Sequence, residues 1–177
     1  MILDQAGSTN DVVRELANKG LPEGLVVFAE HQRAGRGQRG KKWDSAPHKG
    51  LWFSMLLKPA IGVRDSARLT TWAAGTVAST IEETCRLRTT VKPPNDICFE
   101  GRKVAGVLVE MRARPRAPHI AILGIGLNVN QSVNDFPKEI REQATSLAIA
   151  TGRAQDRNEL AIALLRNLDW SYGEFGT

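Results

Sequence analysis

Two apolar runs, LVVFAE at Leu25–Glu30 and LWFSMLL at Leu51–Leu57, flank the basic glycine-rich stretch GRGQRGKKW at Gly35–Trp43. Short apolar runs bounded by turn residues predict buried strands, so the stretch between them is expected at one end of a sheet. Glycine lets the backbone approach a bound group, arginine and lysine pair with carboxylate and phosphate oxygens, and tryptophan offers a flat stacking face. The stretch is therefore a candidate clamp for an anionic ligand that carries a ring, such as a nucleotide.

Composition limits the class of protein. The 177 residues are 42% hydrophobic and 24% charged, a balance typical of one soluble globular domain. No apolar run approaches the roughly 18–20 residues that span a bilayer, and the N-terminus MILDQAGSTNDVV lacks the features of a secretory signal. We therefore expect a cytoplasmic protein with no membrane partner. Cys85 and Cys98 have neither metal-ligand nor disulfide spacing, which predicts reduced, buried thiols and no resident metal.

The net charge of +5 is concentrated in two places. One cluster lies within the glycine-rich stretch and just before it, and it comprises Arg33, Arg36, Arg39, Lys41 and Lys42. The other lies in RARPRAP at Arg112–Pro118, which we predict to be a mobile hairpin loop. Local positive charge attracts anions, and arginine–glycine segments also bind single-stranded nucleic acid. No helix-turn-helix, zinc-finger or RNA-binding signature supports nucleic acid, and neither a dinucleotide-binding GxGxxG nor a P-loop is present.

Hydrophobic periodicity predicts a mixed α/β (α+β) fold. Helices are expected at Ser8–Gly20, Asp65–Cys85, Ala144–Thr151 and Asn158–Tyr172. Strands are expected at Leu25–Glu30, Leu51–Leu57, Thr89–Lys92, Ile97–Glu100, Lys103–Met111 and His119–Val129. Ser8 and Asn158 are the predicted N-caps of their helices. Because several strands are joined by short turns, the sheet is expected to be mixed, largely antiparallel and flanked by helices.

Four separated motifs point to a family when taken together. They are Ser8-Thr9-Asn10, the span Gln32–Trp43, KPPND with the following RKVAGVLVE at Lys92–Glu110, and GIGLNVN at Gly124–Asn130. In this order and at these intervals they resemble the catalytic domain of biotin protein ligases, which carry STN, GRGRxGxxW, KWPND, KxxG[IV]L[VI]E and G[IL]G[IL]NVN. The ATSL at Ala144–Leu147 is also similar to that family, and the match covers nearly the whole chain. The resemblance implies a fold like that of class II aminoacyl-tRNA synthetases.

The resemblance also implies a two-step reaction. Biotin carboxylate attacks the α-phosphate of ATP to give biotinyl-5′-adenylate and pyrophosphate. A lysine of a biotin carboxyl carrier domain then attacks the adenylate, which gives an amide and AMP. Mg²⁺ is expected as the counter-ion of the triphosphate. Such a site must offset the repulsion between two anions and keep the adenylate from water.

Site residues follow from the matching motif positions. The resemblance implies that biotin is contacted by Ser8, Thr9, Asn10, Gln32, Gly35, Arg36, Lys92 and Gly106. It implies that the nucleotide is contacted by Arg36, Gln38, Arg39, Lys41, Trp43, Lys92 and Asn128. Arg36 and Lys92 are the expected catalytic cations, between the biotin carboxylate and the α-phosphate. Trp43 is expected to stack on adenine, and Gly106 to leave space beside the biotin rings.

Each role has a simpler alternative. Ser8 can serve as a helix cap, whether or not it also contacts ligand. Asn95 and Asp96 are best explained as turn residues. Asn128 can terminate a strand, and Gly106 can be a packing glycine.

The chain departs from the family pattern in three respects. Gln38 stands where the family usually has a second arginine, and Pro93 replaces the tryptophan of KWPND. We expect residues 1–177 to form a single catalytic domain, without the C-terminal SH3-like barrel of these ligases. We likewise expect no N-terminal winged helix and hence no DNA partner.

Three other functions remain open at this stage. A lipoate ligase or octanoyltransferase of the same fold is disfavoured because those enzymes carry a different ligand loop. A relative that binds biotin without efficient transfer is suggested by Gln38, Pro93 and the expected absence of the barrel. A nucleic-acid binder is the weakest alternative. A homodimer through an exposed sheet edge is compatible with the resemblance.

Overall fold

A seven-stranded sheet with the order β1-β2-β3-β7-β6-β5-β4 carries the glycine-rich stretch. The computed structural model of the protein describes residues 1–113 and 119–175. The strands are β1 Ile2–Ala6, β2 Val26–Gln32, β3 Leu51–Leu57, β4 Thr90–Lys92, β5 Asp96–Phe99, β6 Arg102–Arg112 and β7 Ile120–Leu127. The helices are α1 Thr9–Asn18, α2 Ser66–Cys85, α3 Leu147–Thr151 and α4 Arg157–Glu174. Short 3₁₀ turns lie at Gln38–Gly40, Val63–Asp65 and Val133–Asp135.

The strand pairing confirms the mixed, largely antiparallel sheet. β1 runs parallel to β2, and the other neighbouring strands pair antiparallel. The centre of the sheet is formed by β3, β7 and β6. There Ile125 of β7 pairs with Phe53 of β3 on one side and with Val107 of β6 on the other. All residues of β3 are buried, as its continuous apolar sequence predicts.

Helices cover the two faces of the sheet unequally. On one face, Leu69, Val77 and Ile81 of α2 pack in a large core with Phe53 and with residues of α4. On the other face, α1 places Val13 and Ala17 against a smaller cluster of sheet residues, namely Val27, Leu56, Ile120 and Ile122. Since α1 is only ten residues long, it covers only part of this second face. The uncovered part of the α1 face holds the paired strand glycines described below.

Most predicted elements are confirmed, with corrections at their ends. Ser8 is the N-cap residue of α1, but its side chain makes no capping hydrogen bond. The N-cap of α4 is Asp156 rather than Asn158, because its carboxylate accepts from the Asn158 and Glu159 amides. α3 begins three residues later than predicted, where Ser146 accepts from the Ile149 amide.

Strand β1 was not predicted, because its exposed Ile2 gives no buried apolar run. The strand exists through its pairing with β2. Of the predicted loop Arg112–Pro118, residues 114–118 lie outside the described residues, and Arg112 belongs to β6. In the described part of the chain, no helix combines the length and apolar character needed to cross a membrane.

The ion pair between Glu30 and Arg157 connects β2 to the start of α4. Arg157 donates to both carboxylate oxygens at 2.6–2.8 Å, and this pairing is the main reason that the pKa of Glu30 lies below its usual 4.5. A carboxylate with a lowered folded pKa stabilises the fold above its unfolded pKa and loses that contribution as the pH falls through the folded value.

We therefore expect Glu30→Gln to lower the free energy of unfolding at pH 7 by about 1 kcal/mol. The deficit should shrink as the pH falls below 4.5, the usual value for this group. Urea unfolding at a series of pH values measures both effects. Glu82→Gln is the matched control, because the Glu82–Arg88 pair is largely exposed. A deficit of the same size under acid conditions would contradict this assignment.

Candidate functional site

Two neighbouring clefts meet at Trp43. The first is lined by residues that include Ser8, Thr9, Asn10, Gln32, Arg36, Trp43, Gly106 and Gly126. The second, which is wider, is lined by residues that include Lys41, Lys42, Trp43, Lys92, Asp96, Lys103 and Asn128. Trp43 is the residue common to both linings. The predicted biotin residues thus gather mainly in the first cleft, and several predicted nucleotide residues gather in the second.

A pair of glycines forms the floor beneath Trp43. Gly106 of β6 lies directly opposite Gly126 of β7. A Cβ atom on Gly126 would lie 2.5 Å from the Trp43 indole, and one on Gly106 would lie 2.9 Å from it. Trp52 packs against the same indole edge-on, with ring centroids 6.0 Å apart. The two glycines are therefore needed because the indole lies directly on the strand backbones.

The glycine-rich stretch folds back on itself above this floor. The Trp43 amide donates to the Gly35 carbonyl at 2.9 Å, and the Gly37 amide donates to the Lys41 carbonyl at 2.7 Å. A Cβ atom on Gly35 would lie 2.7 Å from the Trp43 carbonyl oxygen, so glycine is required for this close approach. The stretch thereby holds Trp43 at the boundary between the clefts.

Hydrogen bonds organise the polar end of the first cleft. Gln32 Oε1 accepts from the Thr9 amide at 2.8 Å and from the Thr9 hydroxyl at 3.1 Å. Ser54 Oγ lies 2.6 Å from Thr9 Oγ1 and 2.5 Å from Asn10 Oδ1. Ser8, Thr9 and Asn10 are all buried. The start of α1 and the end of β2 therefore present an ordered set of polar groups to the cleft.

Arg36 is part of a network of four charges. Its guanidinium donates to both Asp11 oxygens at 2.6 and 2.8 Å and lies 3.5 Å from Glu110. Arg14 contacts the same two carboxylates at 2.6 and 3.0 Å. The hydrogen bond from Arg36 is the largest cause of the lowered pKa of Asp11, and the same bond raises the pKa of Arg36. The expected catalytic cation is thus already paired with acidic side chains.

Lys103 is a cation of the site that the sequence analysis did not single out. Its Nζ lies 2.6 Å from Asp96 Oδ1 and 5.1 Å from the centre of the Trp43 ring. Its backbone amide donates to the Gln143 carbonyl, and its carbonyl accepts from the Thr145 amide. Its position three residues before Gly106 in the sequence could have indicated it, because the end of its side chain lies beside Gly106.

Lys92 lies in the second of the two clefts. It is exposed at the end of the edge strand β4 and lines the second cleft, but it does not line the first. Lys92 is therefore grouped with Lys41 and Lys103 in the second cleft, and its predicted contacts with biotin and the nucleotide stay predictions. Asp96, interpreted as a turn residue, is instead the partner of Lys103.

The remaining predicted nucleotide residues divide into two groups. Lys41 lines the second cleft. Arg39 is exposed, has a left-handed φ of 56°, and lines neither cleft. Gln38 is half-buried and also lines neither cleft. Asn128 lines the second cleft, but its amide donates to the Thr145 carbonyl and its Oδ1 accepts from Gln131. Both polar atoms of the Asn128 side chain thus have partners within the protein, and its contact with the nucleotide stays a prediction.

Within residues 1–113 and 119–175, no group of three or more His, Cys, Asp or Glu side chains could hold a metal ion. Cys85 and Cys98 are buried free thiols, and burial raises the pKa of each.

Comparison with known proteins gives consistent similarities. The chain is 40% identical over 174 residues to the bifunctional ligase/repressor BirA of Bacillus subtilis, with 98% of this chain and 54% of that protein covered. It is 34% identical over 173 residues to the biotin–[acetyl-CoA-carboxylase] ligase of Mycobacterium tuberculosis, with 95% of this chain and 62% of that protein covered. The chain thus spans about half to three fifths of the length of these curated relatives.

Solved structures agree with the sequence relatives. The biotin protein ligase of Aquifex aeolicus in complex with biotin and ATP superposes with a TM-score of 0.86 at 32% identity, covering 99% of this chain and 71% of that one. The family match itself extends over residues 3–128, which include the glycine-rich stretch and both glycines of the floor. The chain belongs to the Biotin/lipoate A/B protein ligase family.

Proposed function

We propose that the protein is an ATP-dependent ligase that activates biotin as biotinyl-5′-AMP and transfers it to a lysine of a biotin carboxyl carrier domain. The observation that carries this proposal is the junction of the two clefts at Trp43 and Lys103. A ligand that fills both clefts would cross this junction at its reactive centre. The relatives named biotin ligases, and the Aquifex complex with biotin and ATP, support the same choice of substrates.

The first cleft suits biotin because it is polar at one end and apolar along its walls. Ser8, Thr9 and Asn10 offer hydroxyl and amide groups that can match an uncharged ureido head. Trp43 and Leu108 line the same cleft and provide apolar surface for the fused rings. A largely apolar cleft with a few placed polar groups is typical of a small-molecule site.

The second cleft suits ATP because it concentrates positive charge. Its lining contains four lysines, namely Lys41, Lys42, Lys92 and Lys103, against the two carboxylates of Asp44 and Asp96. Excess positive charge in a cleft raises the local concentration of a triphosphate and offsets its repulsion from the biotin carboxylate. We assign Mg²⁺ to the substrate, bound to the phosphates of ATP, rather than to a resident metal site.

The chemistry requires charge to be offset at the junction in both steps. A biotin carboxylate oxygen attacks the α-phosphorus, the new P–O bond forms, and pyrophosphate leaves. The amine of the carrier lysine then attacks the acyl carbon of the adenylate, loses a proton, and expels AMP. Lys103 lies beside Trp43 at the junction and Arg36 lines the first cleft, so we expect their cations to stabilise the charge that develops on the phosphate oxygens.

Two alternatives are kept for testing. A lipoate or octanoate transferase would use the same fold with another acyl group. A relative that binds biotin without efficient transfer is also compatible with Gln38 and Pro93 in place of the usual family residues. A cytoplasmic location and a homodimer through an exposed edge strand remain predictions.

Biotin-dependent exchange of pyrophosphate into ATP tests the activation step, and labelling of a carrier domain tests the transfer step. Exchange with biotin and labelling of the carrier lysine are the expected results. Exchange with lipoate or octanoate instead would move the assignment to the other acyl substrates. Exchange without carrier labelling would favour the relative that does not transfer.

The positions of the lysines lead to a ranking of variants. We expect Lys103→Gln to lower the exchange rate by about 100-fold or more, because it removes the cation at the junction. Lys92→Gln should lower it by about tenfold, since Lys92 borders only the second cleft. Lys19→Gln, at the exposed end of α1, is the control and should match the unmodified protein. A larger loss from Lys92→Gln than from Lys103→Gln would reverse the assigned roles.

Gln38 gives a prediction about retention of the adenylate. One positive charge fewer in the glycine-rich stretch should weaken the hold on the intermediate. We expect Gln38→Arg to decrease the labelling of bystander lysines on a non-carrier protein, while carrier labelling is kept. Mass spectrometry of a mixture of carrier and bulk protein measures both. Equal bystander labelling by the two proteins would rule out this role for Gln38.

A further inference from the structure

We propose that Asp11 competes with the anionic group of the ligand for Arg36, and so sets the affinity of the first cleft for a carboxylate. This inference rests on the proposed function, because it takes the biotin carboxylate as the competing anion. Asp11 is outside the lining of both clefts, and its effect on the ligand is exerted through Arg36. It is therefore a positioning residue rather than a catalytic one.

Arg36 and Asp11 meet in a bidentate geometry. Arg36 lines the first cleft, yet its two terminal nitrogens point to the two oxygens of Asp11 at 2.6 and 2.8 Å. This bidentate arrangement uses the fork of donors that a ligand carboxylate would also need. An incoming carboxylate therefore meets a guanidinium whose donors are already engaged.

The whole network is balanced in charge. Arg14 and Arg36 contribute two positive charges, and each lies within ion-pair distance of both negative charges, those of Asp11 and Glu110. The group is neutral in sum, so it gives little long-range attraction to an anion. Removal of one carboxylate would leave a net positive group beside the cleft.

Both carboxylates keep other donors when Arg36 leaves. Asp11 keeps its contact with Arg14 at 2.6 Å. Glu110 still accepts hydrogen bonds from the Asn10 side chain at 2.7 Å and from Arg14 at 3.0 Å. Because neither acidic side chain is left without a donor, Arg36 can change partners at low cost. The network thus permits an exchange of Arg36 between Asp11 and the ligand.

The test uses two probes that differ in charge at one end. Biotin carries the carboxylate, and biotin amide has an uncharged group in its place. By titration calorimetry we expect Asp11→Asn to bind biotin about threefold to tenfold more tightly than the unmodified protein does, and to bind the amide with unchanged affinity. Asp11→Glu keeps the charge and should remain near the unmodified protein. Asp4→Asn, on the exposed strand β1, is the matched control.

Two results would overturn the proposal. Weaker binding of biotin by Asp11→Asn would show that Asp11 supports rather than opposes the ligand contact. An equal shift for biotin and its amide would show an effect on cleft shape rather than on charge.

A measurement without ligand separates this proposal from the proposed function. The glycine-rich stretch contains the trypsin sites Arg36, Arg39, Lys41 and Lys42. If Asp11 holds Arg36, Asp11→Asn should be cleaved there about threefold faster or more, with Asp4→Asn unchanged. Equal cleavage rates would contradict the ion pair. Absence of binding to both probes by the unmodified protein would overturn the proposed function, while the cleavage rates still test the pair.

Discussion

The contact between the Trp43 indole and the Gly106–Gly126 pair is the constraint on which the site depends. Sheet faces normally carry side chains that keep other groups several ångströms from the backbone. Here two facing glycines leave the backbones bare, and an indole lies directly on them. That contact brings the glycine-rich stretch down to the sheet and divides the uncovered α1 face into two clefts. The ion pairs of Arg36 with Asp11 and Glu110 fix the other end of the stretch.

Charge is distributed differently on the two sides of that contact. The first side holds a balanced network in which Arg14 and Arg36 face Asp11 and Glu110. The second side holds an excess of lysines over carboxylates. A ligand with a neutral head and a polyanionic tail matches this gradient, with its reactive centre at the boundary. Helix α1 contributes to the first side through its first turn, so its length and position affect the site as well as the smaller core.

Much of this architecture could be predicted from residue patterns. The apolar run of β3 and the long helical repeat of α2 are confirmed nearly to the residue because burial alone determines them. The motifs also indicated which segments meet. β1 could not be predicted, since an exposed edge strand depends on its partner and has little apolar signal. The cap at Asp156 was missed because two neighbouring residues have similar capping preferences.

The site was predictable as a group of segments but less so as a set of contacts. Lys92 and Lys103 both belong to the family motifs, and sequence does not show which side chain lies beside Trp43. The partners of Arg36 were likewise hidden, because Asp11 and Glu110 are distant in sequence and meet it only through the packing of α1 on the sheet.

The backbone around Lys103 has a mechanical consequence. Its amide and carbonyl are both bonded to the 143–145 segment, which anchors the Cα atom on the side opposite β5. The side chain, by contrast, is a long aliphatic arm that is only partly enclosed. Because the backbone of Lys103 is fixed and its side chain is flexible, the ammonium group can follow negative charge as it moves from one ligand atom to another. The strands that form the clefts need not move.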